Sequence, residues 1–584
     1  MEEDSVGAIY PSHDPTHDVL RAESNPRPDR DKSHLMSRWT IIPLPRTRAA
    51  WFYGGLFVAW ACIVLSTLAH HEFWRDEVRA LSYVMDASSL ADLARFMKDE
   101  GHPMLWHLLL YGSYQMVASK VVLPILSILI AGAAVFLFIF YAPFPWWLKA
   151  LFVLSGLPLY EYSVMARNYG ISMLLLFAFA WMYPWRKQSP LVLGIILALL
   201  CNTNIHSLIL AGLLMGLWLW DMLSADSGAL VRSEVCKLTG AFAIVVTGMA
   251  VALYTLWPSD NTVVSDATRY TTMHMLQAFA ATVIHPAGEF RELFPNVVPL
   301  ALANVILLGS LVGLMVRPAA LVTAYTGVCA LSVFFNVFYP GGYRHQGLLV
   351  IFLVCLYWIV FNEGAHLFQS TPVRRVFRAG AYGGLALLFA FLIVSGANKV
   401  AVDWLYQESA SQAFQGFLKD HPEYTDAILI GEPDYLLEAV RYYADNRIYI
   451  VREKRFGHTV RFVRSAQLQL SLGDLLCAAW HVQTRENKPV LIALGHLTVG
   501  KPTEEPDAAP HAISYPYRRM FTWSKEELAA WRRYTTLQRQ LTQNVVGDEM
   551  YAIYSVATPS HGPEPACYSA GYEGRPAQVA GEGN

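Results

Sequence analysis

The sequence predicts a polytopic α-helical membrane protein that carries a smaller α/β domain after its apolar part. Hydrophobic residues make up 54% of the 584 residues and charged residues only 15%, whereas about a quarter of the residues in an ordinary globular domain are charged. Mean hydropathy is positive, at +0.32. Long apolar segments recur between residues 51 and 397, and beyond them short strand and helix patterns alternate.

The first part of the chain, residues 1–48, predicts a disordered cytoplasmic tail. Residues 1–36 are rich in Asp, Pro, Ser and Arg and poor in the apolar side chains that a folded core needs. The first apolar segment begins only at Trp51, and no small-residue cleavage site follows it. We therefore expect an uncleaved first span and not a signal peptide.

Apolar segments between residues 49 and 398 define the predicted transmembrane module. A full crossing needs about 20 apolar residues, so the shorter segments must borrow length from their flanks. The segments fall at 51–69, 104–118, 121–141, 146–160, 169–184, 190–203, 206–222, 238–256, 294–316, 318–338, 346–362 and 379–397.

Basic loops set the predicted orientation, because Lys and Arg favour the cytoplasmic side of a membrane. We place these residues inside: Arg38, Arg46, Arg48, Arg186, Lys187, Arg232, Lys237, Arg317, Arg374, Arg375 and Arg378. Residues 70–103 and 161–168 then both lie outside, although three apolar segments separate them. We expect 104–118 not to cross but to lie on or dip into the outer face. The result is about 11 crossings.

The expected location is a cell inner (plasma) membrane, with the functional site and the C-terminal domain on the periplasmic side. The chain lacks an N-x-S/T sequon and its basic loops are short, which favours a bacterial inner membrane over the endoplasmic reticulum.

Residues 88–99 predict an amphipathic helix that lies flat on the membrane surface. Ser89 and Asp92 are spaced as a capping pair. The apolar side chains share one helical face: Leu90, Leu93, Phe96 and Met97.

Residues 399–558 predict an extracytoplasmic α/β accessory domain with a parallel sheet, and residues 559–584 a disordered tail. Strands are expected at 427–430, 448–451, 490–494 and 550–556, and helices at 434–444, 466–484 and 525–541. No GxGxxG or GxxxxGKS/T fingerprint indicates nucleotide binding.

Charged residues crowd the stretch 70–103, directly after the first apolar segment. Each would cost about 2.5–3.5 kcal/mol at the bilayer centre, so such clusters beside a span usually face a functional cavity. Arg167 and Arg344 lie on the same side against the topology tendency, which indicates an anionic partner. The pattern predicts an active site at the outer membrane surface.

Three motifs resemble a known superfamily: FWRDEVRA after the first span, EGHPMLWHLLLY, and YSVMARNYGISMLLL. Their order is similar to that of GT-C glycosyltransferases, in particular the protein O-mannosyltransferase and aminoarabinose-transferase relatives. The resemblance covers roughly residues 51–350. Met104 stands where the second proline of the superfamily's motif is expected, and no later Asp-x-Asp motif is present.

This resemblance implies a GT-C fold and a donor that is a sugar on a polyprenyl monophosphate, used on the outer face of the membrane. Asp76 matches the catalytic position. A polyprenyl phosphate leaves as a stabilised anion, so one carboxylate that takes the acceptor proton is sufficient. Glu77 points elsewhere in a regular backbone and is assigned orientation or donor-sugar contact.

The remaining candidate substrate-binding residues are Arg75, His102, Arg167, Tyr169, His206, Arg344 and His345. Each has a structural alternative. Asp76 could pair with Arg75 or Arg79 and only solvate a loop, and Arg167 could anchor a helix end at the headgroups. Tyr169 could belong to an interfacial aromatic belt. The Arg167 guanidinium instead suits bidentate phosphate recognition.

No cofactor is expected, although His102, His206 and His345, with Glu100 nearby, could hold a divalent, zinc-type ion. The expected partners are the lipid-linked donor, an acceptor that is a glycan, lipid or protein, and membrane lipids. Formal net charge is −2 without a long basic run, which excludes a nucleic-acid partner.

Two other functional classes remain open. A transporter or flippase of lipid-linked sugars would also need interfacial arginines, but its ionisable groups would lie near the bilayer midplane. In this sequence the spans are nearly free of charge and the charges cluster at one face. A catalytically inactive assembly protein is the third class.

Overall fold

The computed structural model describes residues 47–98, 100–224, 232–263, 272–363, 372–495 and 511–557. The expected N-terminal tail lies outside these residues except for its last two positions, which begin the first helix. The expected C-terminal tail lies wholly outside them.

The apolar part of the chain folds into helices, because a helix pairs its backbone N–H and C=O groups internally and an apolar membrane interior offers them no other partners. They are α1 (Thr47–Leu68), α2 (Arg75–Asp86), α3 (Leu90–Phe96), α4 (Leu105–Val117), α5 (Val122–Tyr141), α6 (Trp146–Val153), α7 (Tyr169–Met182), α8 (Pro190–Cys201), α9 (Ile205–Ser224), α10 (Arg232–Leu256), α11 (Thr272–Ile284), α12 (Leu300–Gly309), α13 (Pro318–Val337), α14 (Tyr343–Glu363) and α15 (Pro372–Leu405).

Within the described ranges, seven of these helices are long and apolar enough to cross a membrane: α1, α5, α9, α10, α13, α14 and α15. The other expected crossings fall on shorter helices: α7, α8, the stretch Leu300–Val316, and α6 with the π-helical turn Leu157–Glu161. The structure therefore supports a multi-helix membrane protein, and the count of about 11 crossings stays a prediction.

Helix α14 forms the centre of the bundle, because 83% of its apolar stretch is buried inside the protein. At its C-terminal end a charged cluster joins three helices. Arg317 contacts both Asp221 and Glu363, and Arg186 lies 2.7 Å from Glu363. These charges neutralise one another at the end of the bundle opposite Arg344, which opens α14.

Helix α4 has 13 residues and is about 20 Å long, shorter than the 30 Å hydrocarbon core of a bilayer. This length fits the expectation that 104–118 does not cross. The amphipathic helix α3 is confirmed but shorter than expected, and Ser89 caps it by accepting from the Asp92 amide. Leu93 and Met97 are buried as expected, whereas Leu90, the first residue of α3, is 54% exposed.

Helices in two parts of the membrane module extend beyond the expected apolar segments. Helix α15 runs to Leu405, past the expected boundary at residue 398. The segment 257–292, which joins the apolar segments 238–256 and 294–316, contains the apolar helix α11, which packs on α13. Apolar side chains at helical spacing continue through both segments, and this signal outweighs the polar residues that interrupt it.

The C-terminal domain combines short helices and strands. The helices are α16 (Ser411–Asp420), α17 (Val440–Tyr443), α18 (Leu472–Glu486) and α19 (Lys525–Tyr534). The strands are β1 (Gln407–Ser409), β2 (Ile428–Glu432), β3 (Tyr449–Ile450), β4 (Arg455–Phe456), β5 (Gln469–Ser471), β6 (Val490–Leu494), β7 (His511–Tyr515), β8 (Arg519–Trp523), β9 (Thr535–Leu541), β10 (Val545–Glu549) and β11 (Tyr551–Val556).

The main sheet of this domain has the strand order β2-β6-β11-β9 and is mixed, not parallel as expected. Strands β2 and β6 are parallel, with Ile430 opposite Ile492, but β11 is antiparallel to both neighbours. A parallel pair needs a long crossover, and the chain between β9 and β11 is too short for one.

The expected helix 525–541 is helical only to Tyr534 and continues as β9. Thr535 and Thr536 explain the change, because β-branched side chains favour strands. The expected helix 466–484 likewise begins with β5, and the helix proper starts at Leu472 with Ser471 as its cap.

Candidate active site

A cavity of about 1130 Å³ lies where α2 and one end of the helix bundle meet the C-terminal domain. The described residues of both parts belong to one compact unit. Eight of the nine candidate residues from the sequence line this cavity: Arg75, Asp76, His102, Arg167, Tyr169, His206, Arg344 and His345. The ninth, Glu77, does not.

Asp76 stands in the first turn of α2, where a carboxylate is favoured by the positive end of the helix dipole. Its Oδ2 lies 2.5 Å from Nη1 of Arg167, and its side chain is 39% exposed. Burial alone would raise the pKa of the Asp76 carboxyl, but Arg167, Arg344 and Arg75 outweigh burial and lower the pKa to about 2. Asp76 is therefore an anion at any physiological pH.

Arg344, the second residue of α14, also lines the cavity, and its charge contributes to the low pKa of Asp76. Its Nε lies 3.9 Å from Glu161, a loose ion pair, and its guanidinium stacks over the Trp74 ring at 5.3 Å. Its Nη1 has no hydrogen-bond partner within the described part of the chain. A buried guanidinium N–H group without a partner can donate a hydrogen bond to an anionic ligand, which would supply the missing acceptor.

Glu77 is buried behind the cavity wall. Its Oε2 lies 3.0 Å from Nε2 of His71, and its Oε1 accepts a hydrogen bond of 2.6 Å from the Ala166 amide. His71 in turn bonds Asp403 through Nδ1 at 2.8 Å. Of the two roles that the sequence left open for Glu77, these contacts favour orientation of the neighbouring Asp76 over contact with a sugar.

Arg75 turns towards the C-terminal domain. Its Nη1 lies 2.5 Å from Asp548, and its backbone amide donates to Glu549 at 2.8 Å. Burial raises the pKa of the Glu549 carboxyl, and although Arg75 opposes this effect the pKa stays near 8. The flanks of Asp76 are thus held by two different parts of the fold, while Asp76 itself faces the cavity.

Three further candidates form an aromatic cluster in the cavity wall: Tyr169, His206 and His345. The His206 and His345 rings lie 5.2 Å apart, and Tyr169 meets His345 edge-on at 5.4 Å. His206 is also packed against Phe334 and Phe335. Neither ring nitrogen of His206 has a hydrogen-bond partner within the described ranges. This cluster offers flat apolar surface beside neutral polar atoms.

A divalent metal finds no preformed site here. Among the described residues, no group of three or more His, Cys, Asp or Glu side chains lies close enough to hold a metal ion. Nδ1 of His102 is bonded to the Glu100 carbonyl at 3.1 Å, and Nδ1 of His345 accepts from the Gly342 amide at 3.1 Å. The three histidines thus have protein partners or apolar neighbours instead of a shared ligand geometry.

Sequence reasoning missed the contribution of the C-terminal domain to the cavity wall. Twelve of its described residues line the cavity, among them Tyr435, Arg455, Arg461, Phe462, Tyr517 and Asp548. One signal was available, because five Lys or Arg residues fall between positions 452 and 464 on the expected outer side, with two aromatic residues among them. Basic residues in such a run indicate an anionic or aromatic neighbour, by the same argument that indicates an anionic partner for Arg167.

Arg79 was considered only as an ion-pair partner of Asp76, and the structure gives it a different role. It lies 2.8 Å from Glu100, 2.5 Å from Glu438 and 2.9 Å from the Val460 carbonyl. Burial raises the pKa of the Glu438 carboxyl, and although Arg79 opposes this the pKa is about 7. Arg79 therefore joins α2 to the C-terminal domain.

Comparison of the chain with models of protein families, with curated proteins and with solved structures finds no match. The resemblance to GT-C glycosyltransferases accordingly rests only on the motifs around Asp76, His102 and Arg167.

Proposed function

We propose that this protein is an integral membrane glycosyltransferase of the GT-C type. It would transfer a sugar from a polyprenyl-phosphate donor to an acceptor hydroxyl on the periplasmic face of the plasma membrane, with inversion. The observation that carries the proposal is the 2.5 Å ion pair between Asp76 and Arg167 on the wall of a large cavity. This cavity lies between apolar helices and a polar domain, and a lipid phosphate needs both surroundings.

The donor phosphate competes with Asp76 for Arg167. Phosphate and carboxylate both accept parallel hydrogen bonds from a guanidinium, so the phosphodiester anion of the donor can take the place of Asp76 at Arg167. When Arg167 turns to the phosphate, Asp76 loses the closest of the cations that hold its pKa near 2. Its pKa then rises, which makes the carboxylate a stronger base when the donor is present.

The transfer itself is a single displacement. The acceptor oxygen attacks the anomeric carbon, its proton passes to the Asp76 carboxylate, and the bond between that carbon and the phosphate oxygen breaks. The electron pair leaves with the polyprenyl phosphate, whose new charge is stabilised by Arg167 and Arg344. One displacement at the anomeric carbon inverts its configuration. The acceptor class is left as a glycan, a lipid or a protein.

Transport of a lipid-linked sugar is the competing function. Helices α5 and α13 contain no Asp, Glu, Lys or Arg, and the two such residues of α14, Arg344 and Glu363, stand at opposite ends. A translocation path usually places ionisable groups near the bilayer midplane. This distribution favours chemistry at one face.

The test is a radiolabelled polyprenyl-phosphate sugar supplied to the purified protein in lipid nanodiscs. We expect free polyprenyl phosphate to be released by the parent protein and not by Asp76→Asn. Movement of intact donor across the bilayer of proteoliposomes without its cleavage would instead identify a transporter. Binding of donor without cleavage or movement would identify an inactive assembly protein.

A further inference from the structure

We propose that Lys399 and Asp403, one turn apart on α15, are positioning residues for the charges that act on the donor. The inference rests on the proposed function, because it concerns the same phosphate-binding arginines and the same base. Neither residue lines the cavity. Each reaches it through one or two buried side chains, and together they link the last membrane helix to the reaction centre.

The first link begins at Asp403, whose side chain is almost fully buried. Its Oδ2 bonds His71 Nδ1 at 2.8 Å, and its Oδ1 accepts a hydrogen bond of 3.0 Å from the Tyr160 hydroxyl. The other ring nitrogen of His71, Nε2, lies 3.0 Å from Oε2 of Glu77. With both carboxylate oxygens and both ring nitrogens engaged, the imidazole is fixed in one orientation.

Glu77 constrains the backbone beside both residues of the ion pair between Asp76 and Arg167. It precedes Val78 on α2 and directly follows Asp76, and its Oε1 accepts a 2.6 Å hydrogen bond from the amide of Ala166, which precedes Arg167. A displacement of Glu77 therefore moves the backbone beside the base and the backbone beside the phosphate ligand together.

The second link begins at Lys399, one turn earlier on the same face of α15. Its Nζ lies 2.8 Å from Oε1 of Glu161, and Oε2 of Glu161 lies 3.9 Å from Nε of Arg344. The Arg344 backbone is fixed separately, because its carbonyl accepts a 2.7 Å hydrogen bond from the Tyr162 hydroxyl. Lys399 therefore controls the side chain of Arg344 through the charge of Glu161.

A close approach of two glycines makes both links possible. A Cβ atom at Gly396 would lie 2.5 Å from the Cα atom of Gly156, which is far inside van der Waals contact. Only glycine at these positions lets α15 pack this tightly on the turn that carries Tyr160 and Glu161. The helix thus brings Lys399 and Asp403 within bonding distance of the site network.

The same helix leads into the C-terminal domain. Strand β1 begins two residues after α15 ends and pairs in parallel with β10. Strand β10 ends in Asp548 and Glu549, the two residues that hold Arg75. The C-terminal domain is therefore linked to both chain neighbours of Asp76: to Arg75 directly, and to Glu77 through α15.

The experiment measures the donor KM and the kcat of Lys399→Met and Asp403→Asn. Lys399→Met keeps the length of the stem but removes the charge, and should raise the donor KM about fivefold or more with kcat little changed. Asp403→Asn should lower kcat about tenfold or more, because it misplaces the base. Asn398→Ala, an exposed neighbour on α15, is the matched control and should behave as the parent.

Double mutants separate positioning from general damage to the fold. If Lys399 acts through Arg344, Lys399→Met should add no further rise in KM to an Arg344→Ala background. If Asp403 acts through His71, Asp403→Asn should add no further loss to His71→Asn. Multiplicative effects in either pair, or parent-like kinetics of both single variants, would overturn the inference.

A structural readout keeps this inference distinct from the proposed function. Failure of the parent protein to bind or cleave the donor would refute the function alone. Cryo-electron microscopy of Lys399→Met should then still show the Arg344 guanidinium displaced. An Arg344 side chain in its parent position would overturn the positioning role whatever the activity of the protein.

Discussion

The carboxylate of Asp76 and the guanidinium of Arg167 lie 2.5 Å apart, although they stand on α2 and just before α7. Each neutralises the other in the absence of an anionic ligand. The pair explains how one cavity wall holds a carboxylate and a guanidinium without an uncompensated charge. In the proposed function, the donor phosphate would have to separate the two before Asp76 could act as a base.

Replacement of Asp76 by Asn should abolish sugar transfer while donor binding persists. The amide keeps the shape of the side chain but cannot take a proton, and general base catalysis contributes about 10²–10⁴-fold. Transfer rate and donor affinity are measured side by side. Activity within a few-fold of the parent would remove Asp76 from the mechanism.

Arg167→Ala should weaken donor binding by roughly 1.5–3 kcal/mol, the usual contribution of a hydrogen bond to a charged group. Arg167→Lys should fall between Ala and the parent, because an ammonium lacks the two parallel donors of a guanidinium. Donor titration checks this, with acceptor titration at saturating donor as the control. Normal donor affinity with weakened acceptor affinity would make Arg344 the better phosphate ligand.

Cysteines introduced at Lys98 and Lys120 should both react with an impermeant reagent from outside. Lys98 lines the cavity, and Lys120 lies 2.7 Å from Asp445 of the C-terminal domain, so α4 begins and ends on one side. The background should lack the exposed Cys62 and Cys236. Lys187→Cys, expected in the cytoplasm, should react only after permeabilisation. Labelling of 98 and 120 from opposite sides would refute the topology.

Arg79→Met should destabilise the protein by about 3–5 kcal/mol, the usual cost of removing one partner from a buried ion pair. The methionine would leave the carboxylates of Glu100 and Glu438 without their cation. Chemical denaturation in detergent measures the loss, with the exposed Arg532→Met as control. A change as small as that of the control would show that the C-terminal domain does not depend on this contact.

The stability of the protein should fall in alkaline solution because of His71. Burial alone would lower the pKa of its imidazole, but Glu77 and Asp403 outweigh burial and raise the pKa to about 10. The pKa is then higher in the folded than in the unfolded chain, where it is about 6.5. The stabilisation is complete below pH 6.5 and is lost as the pH rises towards 10.

Melting temperatures recorded across this range check the prediction. In His71→Asn the component of the alkaline decline that comes from the imidazole should disappear, and the variant should already be less stable at neutral pH. An identical alkaline decline in parent and variant would mean that the imidazole is not protonated in the folded protein.

Patterns along the sequence predict the membrane character, the cap of α3, four of the eleven described strands of the C-terminal domain and eight residues that line one cavity. These features depend on composition, on local periodicity and on charges placed where a membrane disfavours them, all of which can be read along the chain. Asp76 and Arg167 stood out for this reason, because a charge beside an apolar span needs a partner wherever that partner lies.

The partners of those charges are set by the tertiary structure. Nothing local connects Asp403 with His71, or Glu438 with Arg79, because these bonds join segments that are distant along the chain. The mixed order of the main sheet likewise follows from packing between elements. Side-chain networks and sheet topology depend on how helices and strands approach one another, and one-dimensional patterns do not encode that approach.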